Sequence, residues 1–150
     1  MIKTGRFALA MGLALALGGC DSTEPQTPET VKFAASLGIN LAAMTKLPSG
    51  VYIQTITPGT GVALKVMDQW SINYKGSLAN GTVFDPGMQP LIKSNFSQVI
   101  EGFKGMVGMT KGEMRKMVIP SELGYGLQDS RSIPGGSVLI FDVTLLAINP

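Results

Sequence analysis

The sequence predicts an α+β domain in which an antiparallel sheet wraps one short α-helix, and three observations point there. After Pro48-Ser49-Gly50 the chain breaks into short apolar runs punctuated by glycine and proline, the texture of a β-rich fold with close turns. Trp70, Ile72, Tyr74 and Leu78 alternate with Ser71, Asn73, Lys75 and Ser77, the period of two that puts one face of a strand into a core. Only Gln98 to Val107 carries convincing helical spacing, with Val99, Phe103 and Met106 at i, i+4 and i+7.

Taken in order, the chain opens on Lys3 and Arg6, an apolar run from Phe7 to Leu17, and Gly18-Gly19-Cys20. A basic start, a short hydrophobic segment and small residues form a secretory signal layout, and the run is shorter than the about 20 apolar residues that span a bilayer. Residues 1–19 are therefore expected to be removed. Leu17-Gly18-Gly19-Cys20 resembles the bacterial lipoprotein cleavage box, which implies that Cys20, the only cysteine, becomes the lipidated first residue of the mature chain. An ordinary signal peptide with a chance cysteine is the competing reading. The lipoprotein reading places the protein in the bacterial cell envelope, facing the periplasm or the exterior. It would be held to the membrane by acyl chains on Cys20, at about 0.8 kcal/mol per buried methylene.

Residues 20–30 hold two prolines and no large apolar side chain, and read as a flexible tether. Residues 31–49 form an N-terminal extension, with Val31, Phe33, Leu37, Ile39, Leu41 and Met44 packing on the main body and Asn40 capping a single helical turn. The main domain runs over 50–150. Val51 to Thr57 is its first strand, and Pro58-Gly59-Thr60-Gly61 is a turn. Asn80-Gly81 supplies the positive φ angles of a tight hairpin after the alternating strand, and the chain returns through Thr82-Val83-Phe84-Asp85. Gly102 and Gly105 each cost the expected helix about 1 kcal/mol relative to alanine, which argues that they allow close approach to the sheet. Glu113 to Ile119 and Val138 to Ile148 are two further strands, the second apolar on both faces with Phe141 pointing inward. Between them Pro120 to Gly136 is a long loop of the kind that usually carries function.

At 150 residues and 15.8 kDa the chain can build one sizeable core. Its 45% hydrophobic and 15% charged residues give a globular balance. Removing Lys3 and Arg6 leaves the basic side chains equal in number to the ten acidic ones, so no basic face for nucleic acid is implied. With no histidine and one cysteine, catalytic triads, Cys/His dyads and His-bearing metal sites are excluded, and so is a C-x-x-C redox centre. The acidic residues form no Asp-rich metal loop, and no Rossmann glycine motif follows a strand. Met106, Met109, Met114 and Met117 read as fillers of irregular core gaps. Neither a metal nor a cofactor is expected, and the domain is expected to act as a monomer.

From Gly50 to Ile148 the sequence resembles the FK506-binding protein (FKBP) family of peptidyl-prolyl cis-trans isomerases. The resemblance rests on seven stretches in order. They begin with Ile56-Thr57-Pro58-Gly59-Thr60-Gly61, then Tyr74 through Asp85, Gln98-Val99-Ile100-Glu101-Gly102-Phe103, and Gly112-Glu113-Met114-Arg115-Lys116. They continue with Ile119-Pro120, Leu123-Gly124-Tyr125-Gly126, and Ile133-Pro134 followed by Leu139 through Leu146. It implies a strongly curved antiparallel sheet around a short helix, acting on proline-containing polypeptides and taking FK506-like macrolides.

The resemblance also implies a pocket walled by Tyr74, Phe84, Val99, Ile100, Phe103 and Phe141, with Tyr125 and Ile133 from the long loop. It assigns Asp85 a polar contact near the substrate carbonyl, Tyr125 a hydroxyl donor and Ile100 a backbone N–H donor, and it puts Asp85, Tyr125, Tyr74 and Phe103 in the catalytic set. Without it, the apolar positions read as plain core, Asp85 before Pro86-Gly87 as an ordinary turn residue, and Trp70 as a core filler. A carboxylate beside an apolar cleft needs hydrogen-bond donors, so Asp85 is expected to have a fixed partner. Three departures stand out: Phe103 replaces the family's usual tryptophan, Leu91 or Ile92 stands where another aromatic is common, and Gly135 replaces a second proline, which predicts a more mobile rim. Those departures keep a second reading open, in which the pocket grips proline segments as a chaperone-like or scaffolding module with little turnover. A third reading is a structural lipoprotein whose β-domain packs on an envelope partner.

Overall fold

Seven strands form one antiparallel sheet in the computed structural model, which describes residues 24–149. They are β1 (Thr45–Lys46), β2 (Tyr52–Thr57), β3 (Gln69–Leu78), β4 (Val83–Asp85), β5 (Leu91–Ser94), β6 (Met114–Ile119) and β7 (Leu139–Asn149). Their order is β1-β2-β6-β7-β3-β4, with β5 also paired to β3. The signal segment and Cys20 lie outside the described residues.

Most strands fall where the pattern places them, and β1 and β5 are additions. β3 breaks its own alternation: Trp70, Ser71 and Ile72 are all buried, because its register against β7 slips between Ser71 and Ile72. The hairpin after β3 also differs from expectation. Gly81 alone takes a positive φ (+89°), and its N–H donates to the Leu78 carbonyl while the Leu78 N–H donates to Thr82. That is a type I turn closed by a glycine bulge.

The expected α-helix over 98–107 is instead a 3-10 helix over Glu101–Met106, preceded by a separate 3-10 turn at Phe96–Gln98. Val99 between them is extended (φ −131°). Three residues per turn put Gly102 directly in line with Gly105, whereas α-winding would swing one about 60° from the other. The glycine row needs that alignment. A Cβ on Gly102 would stand 2.3 Å from Ile119 Cγ2, and one on Gly105 3.0 Å from Met117 Sδ and 3.1 Å from Val51 Cγ1. The next row, Phe103 and Met106, is buried.

Two apolar clusters sandwich the sheet. The larger lies under the helix and takes Trp70, Ile72, Met106, Met109, Met117, Ile119, Phe141 and Leu145. The smaller lies on the opposite face, where Tyr52, Val118 and Ile140 meet Val31, Phe33, Leu37, Ile39, Leu41 and Met44 of the extension. The extension therefore braces the sheet from behind, and the Asn40 side chain accepts from the Ala42 N–H to start the 3-10 turn Leu41–Ala43. The last residues of the expected tether are packed on the domain. Gln26 bonds to the long loop, Pro28 is buried, and Glu29 accepts from Lys46 (2.5 Å) and the Tyr52 hydroxyl (2.7 Å). Lys46 first, then Tyr52, holds the Glu29 carboxyl down at about 2.

One buried ion pair fixes the helix to β6, an interior strand. Arg115 Nε and its neighbouring guanidinium nitrogen donate to Glu113 Oε1 at 2.8 and 2.6 Å, and Nη1 donates to the carbonyls of Gly105 (2.8 Å) and Val107 (3.2 Å). Glu113 also accepts from Thr55 Oγ1 (3.0 Å) and the Thr110 N–H (3.1 Å). Removing one partner strands a buried charge, so Arg115→Met is expected to lower stability by about 3–5 kcal/mol in urea unfolding. Adding Glu113→Gln to that variant should recover part of the loss.

Candidate active site

Phe141, on β7 opposite Gly76 of β3 and Met117 of β6, is the hub of the site. Three rings surround it: Phe103 at 4.8 Å between centroids and 68°, Phe84 at 5.6 Å and 82°, and Tyr74 at 6.3 Å and 46°. These are tilted and edge-to-face contacts that aromatic quadrupoles favour. Gly76 makes the cluster possible, since a Cβ there would stand 2.6 Å from the Phe84 ring and 3.0 Å from Phe141 Cε1. Trp70 stacks behind Phe103 at 6.4 Å and 16°, and is fully buried as a core filler.

The rings do not close on themselves. They wall a cavity of about 440 Å³, completed by Leu91, Val99, Ile100, Asp85, Tyr125, Ser97 and Gln98. Asp85 joins both of its readings. Its Oδ1 accepts from the Gly87 N–H (3.0 Å) as a turn residue does, and its Oδ2 accepts from the Tyr74 hydroxyl (2.7 Å). Gly87 is required in that turn, with φ at +63° and the Tyr74 carbonyl oxygen 1.6 Å from where a Cβ would lie. Tyr125, 40% exposed, stands at the rim, and its hydroxyl has no hydrogen-bond partner among the described residues. The Ile100 N–H likewise donates to no acceptor among them.

Eight of the nine residues expected at the site thus meet around one cavity. Ile133 does not. Its backbone pairs both ways with Ser130 (2.9 Å each), and its side chain is taken into the core. Gly135, where a more mobile rim is expected, sits close against its own loop. The Gly135 N–H donates to Asp129 Oδ1 (2.7 Å), a bond that a proline could not make, and a Cβ would meet the Leu127 carbonyl oxygen at 2.2 Å. Leu91 lines the cavity whereas Ile92 is exposed, which decides between the two. Ser97 and Gln98 were missed, although Asn95 and Gln98 form a capping box: Asn95 Oδ1 accepts from the Ser97 N–H (3.0 Å) and Gln98 Oε1 from the Asn95 N–H (3.2 Å).

Four aromatic rings around a space of that size, with unpaired donors at its lip and a fixed carboxylate, make an apolar hollow with a polar rim. The model of the FKBP-type peptidyl-prolyl cis-trans isomerase family matches residues 61–146, and the chain belongs to that family. Human "Peptidyl-prolyl cis-trans isomerase FKBP2" is 48% identical over 87 residues, covering 54% of this chain and 61% of the relative. The chain thus spans about three fifths of the length of the curated relatives it matches first. Among solved structures, FkpA from Escherichia coli superposes with a TM-score of 0.67 at 36% identity, over 72% of this chain and 52% of that one. A peptidyl-prolyl cis-trans isomerase from Pseudomonas syringae pv. tomato gives 0.67 at 27%, over 77% and 87%. The curved sheet and short helix that the family resemblance implies are those found.

Burial first, and then the bond to Asp85, push the Tyr74 phenol up to about 12. The folded state therefore favours the neutral hydroxyl. The resulting stability is fully present below the free tyrosine value of about 10 and is lost as pH rises through the folded one. Tyr74→Phe is expected to delete the most alkaline component of an ultraviolet tyrosine titration and to flatten the fall in stability across that window. Gly76→Ala, which forces Phe84 aside, is expected to cost about 1–3 kcal/mol by overpacking, read as a lower melting temperature.

Proposed function

We propose that this chain is a peptidyl-prolyl cis-trans isomerase that holds a proline ring among Tyr74, Phe84, Phe103 and Phe141 and stabilises the twisted X-Pro amide. The observation that carries the reading is the open aromatic cavity beside a carboxylate already held by Tyr74 and Gly87. Rotation about the bond faces about 18–20 kcal/mol of amide resonance, and no bond is broken. The catalyst therefore needs only a surface that holds the distorted amide better than the flat one. Twisting localises the nitrogen lone pair and makes the carbonyl less amide-like, so apolar walls in place of water favour the less delocalised state. Asp85 would sit near the substrate carbonyl, while the Tyr125 hydroxyl and the Ile100 N–H, both unpaired among the described residues, would hold the flanking chain. FK506-like macrolides would occupy the same space.

The second reading, a proline-segment binder with little turnover, draws on Phe103, which offers a smaller floor than tryptophan and no indole N–H. A prolyl isomerisation assay separates the two. Catalysis should be detected, with Phe103→Ala lowering kcat/KM about tenfold or more and Tyr125→Phe lowering it less. A rate equal to uncatalysed exchange, with proline peptides still perturbing Phe103 and Tyr125 by NMR, would leave binding alone. No perturbation would sink both readings.

We further propose that the protein is an envelope lipoprotein anchored through Cys20, where it would speed the folding of proteins limited by proline isomerisation. The pattern Leu17-Gly18-Gly19-Cys20 after a basic, apolar leader supports this. Mass spectrometry of the mature chain should show an acylated Cys20 as its first residue. Cys20→Ser should abolish both the acyl mass and the membrane fraction.

A further inference from the structure

The loop that carries Tyr125 is closed by a circuit of four backbone hydrogen bonds, and one corner lies outside the loop. The Gln26 N–H donates to the Gly136 carbonyl (3.0 Å), the Gly136 N–H to Gly126 (2.7 Å), the Gly126 N–H to Ser121 (2.8 Å), and the Ser121 N–H back to Gln26 (3.1 Å). Within the circuit each of the four residues donates once and accepts once, with Ser121 also accepting from the Gly124 N–H (3.0 Å), and bonds chained in this way polarise one another. Gln26 joins the two ends of the loop from outside it, as Gly126 does from within, and Tyr125 is the residue next to the Gly126 corner. Little else holds that tyrosine: it is half exposed, its hydroxyl is unpaired among the described residues, and it stands between Gly124 and Gly126.

Gln26 is itself anchored at a distance. Pro28 is buried and Glu29 accepts from Lys46 of β1 and Tyr52 of β2, so the segment runs from the back of the sheet to the base of the loop. We propose that residues 26–30 form a clip that fixes the Tyr125 loop over the cavity, with Gln26 a positioning residue acting through its backbone. The inference rests on the isomerase reading of the cavity for its functional readout, and on the circuit alone for its structural one.

Two variants and a control in the full-length chain test it. Gln26→Pro removes the amide hydrogen given to Gly136. Glu29→Gln weakens the far anchor at an exposed position and does not threaten folding. Gln26→Ala keeps both backbone bonds and serves as control, since the Gln26 side chain makes no hydrogen bond among the described residues.

Gln26→Pro should raise hydrogen exchange at the Gly126 and Gly136 amides about tenfold or more while leaving Val143 in the core unchanged. It should raise KM for a proline peptide about threefold or more with little change in kcat. Glu29→Gln should move both readouts the same way by less, and Gln26→Ala neither. If Gln26→Pro does not fold, Glu29→Gln carries the comparison. Unchanged exchange at the two glycines, an equal rise at Val143, or a KM that stays fixed while the loop loosens would each overturn the clip. Absence of turnover in the unaltered chain would instead overturn the isomerase reading, and the dissociation constant of the peptide, measured by NMR, would then stand in for KM.

Discussion

Ile119 Cγ2 lies 2.3 Å from where a side chain on Gly102 would begin, so the helix Glu101–Met106 can rest on β6 only because that side chain is missing. The rest of the site follows from this contact. With the glycine row against the sheet, Phe103 is delivered within 4.8 Å of Phe141. Arg115 can then reach the carbonyls of Gly105 and Val107 from a buried pair on β6. The chain entering the helix stays extended through Val99 and Ile100, which leaves both at the lip of the cavity and the Ile100 amide unspent.

The sheet works on both faces because successive side chains point opposite ways. Ile119, Met117 and Phe141 belong to the side under the helix, while Val118 and Ile140 belong to the side under the extension. Past that covered zone the back of β7 turns polar, where Asp142 pairs with Lys116 (2.7 Å) and Lys75 (3.4 Å). The N-terminal extension therefore seals the part of the sheet that a bare domain would leave greasy, and leaves the front of the site untouched.

How much of this was legible varies with the physics that fixes each element. β3 is legible because burial of one face writes a period of two into the chain, as from Ile72 to Lys75. The helix is legible but its winding is not: i, i+4 spacing from Val99 to Phe103 looks α-helical, whereas the glycine row answers to the close approach of Ile119 to Gly102, 17 positions along the chain. β1 and β5 are too short to carry a pattern. Likeness of motif places Ile133 at the cavity, whereas its side chain is buried in the apolar cluster and is absent from the cavity wall. Gly135 reads without neighbours as backbone freedom, and its close fit against Leu127 and Asp129 is visible only in the folded loop.

Trp70 is the only tryptophan in the chain, fully buried, nearly parallel to Phe103, and with an indole nitrogen that meets no hydrogen-bond partner among the described residues. An indole kept this dry emits at a shorter wavelength than one in water, and no second chromophore of its kind blurs the signal. Any guest that shifts the Phe103 ring disturbs a fluorophore directly beneath it. The molecule thus carries a built-in optical gauge, read from below the surface on which a proline would rest.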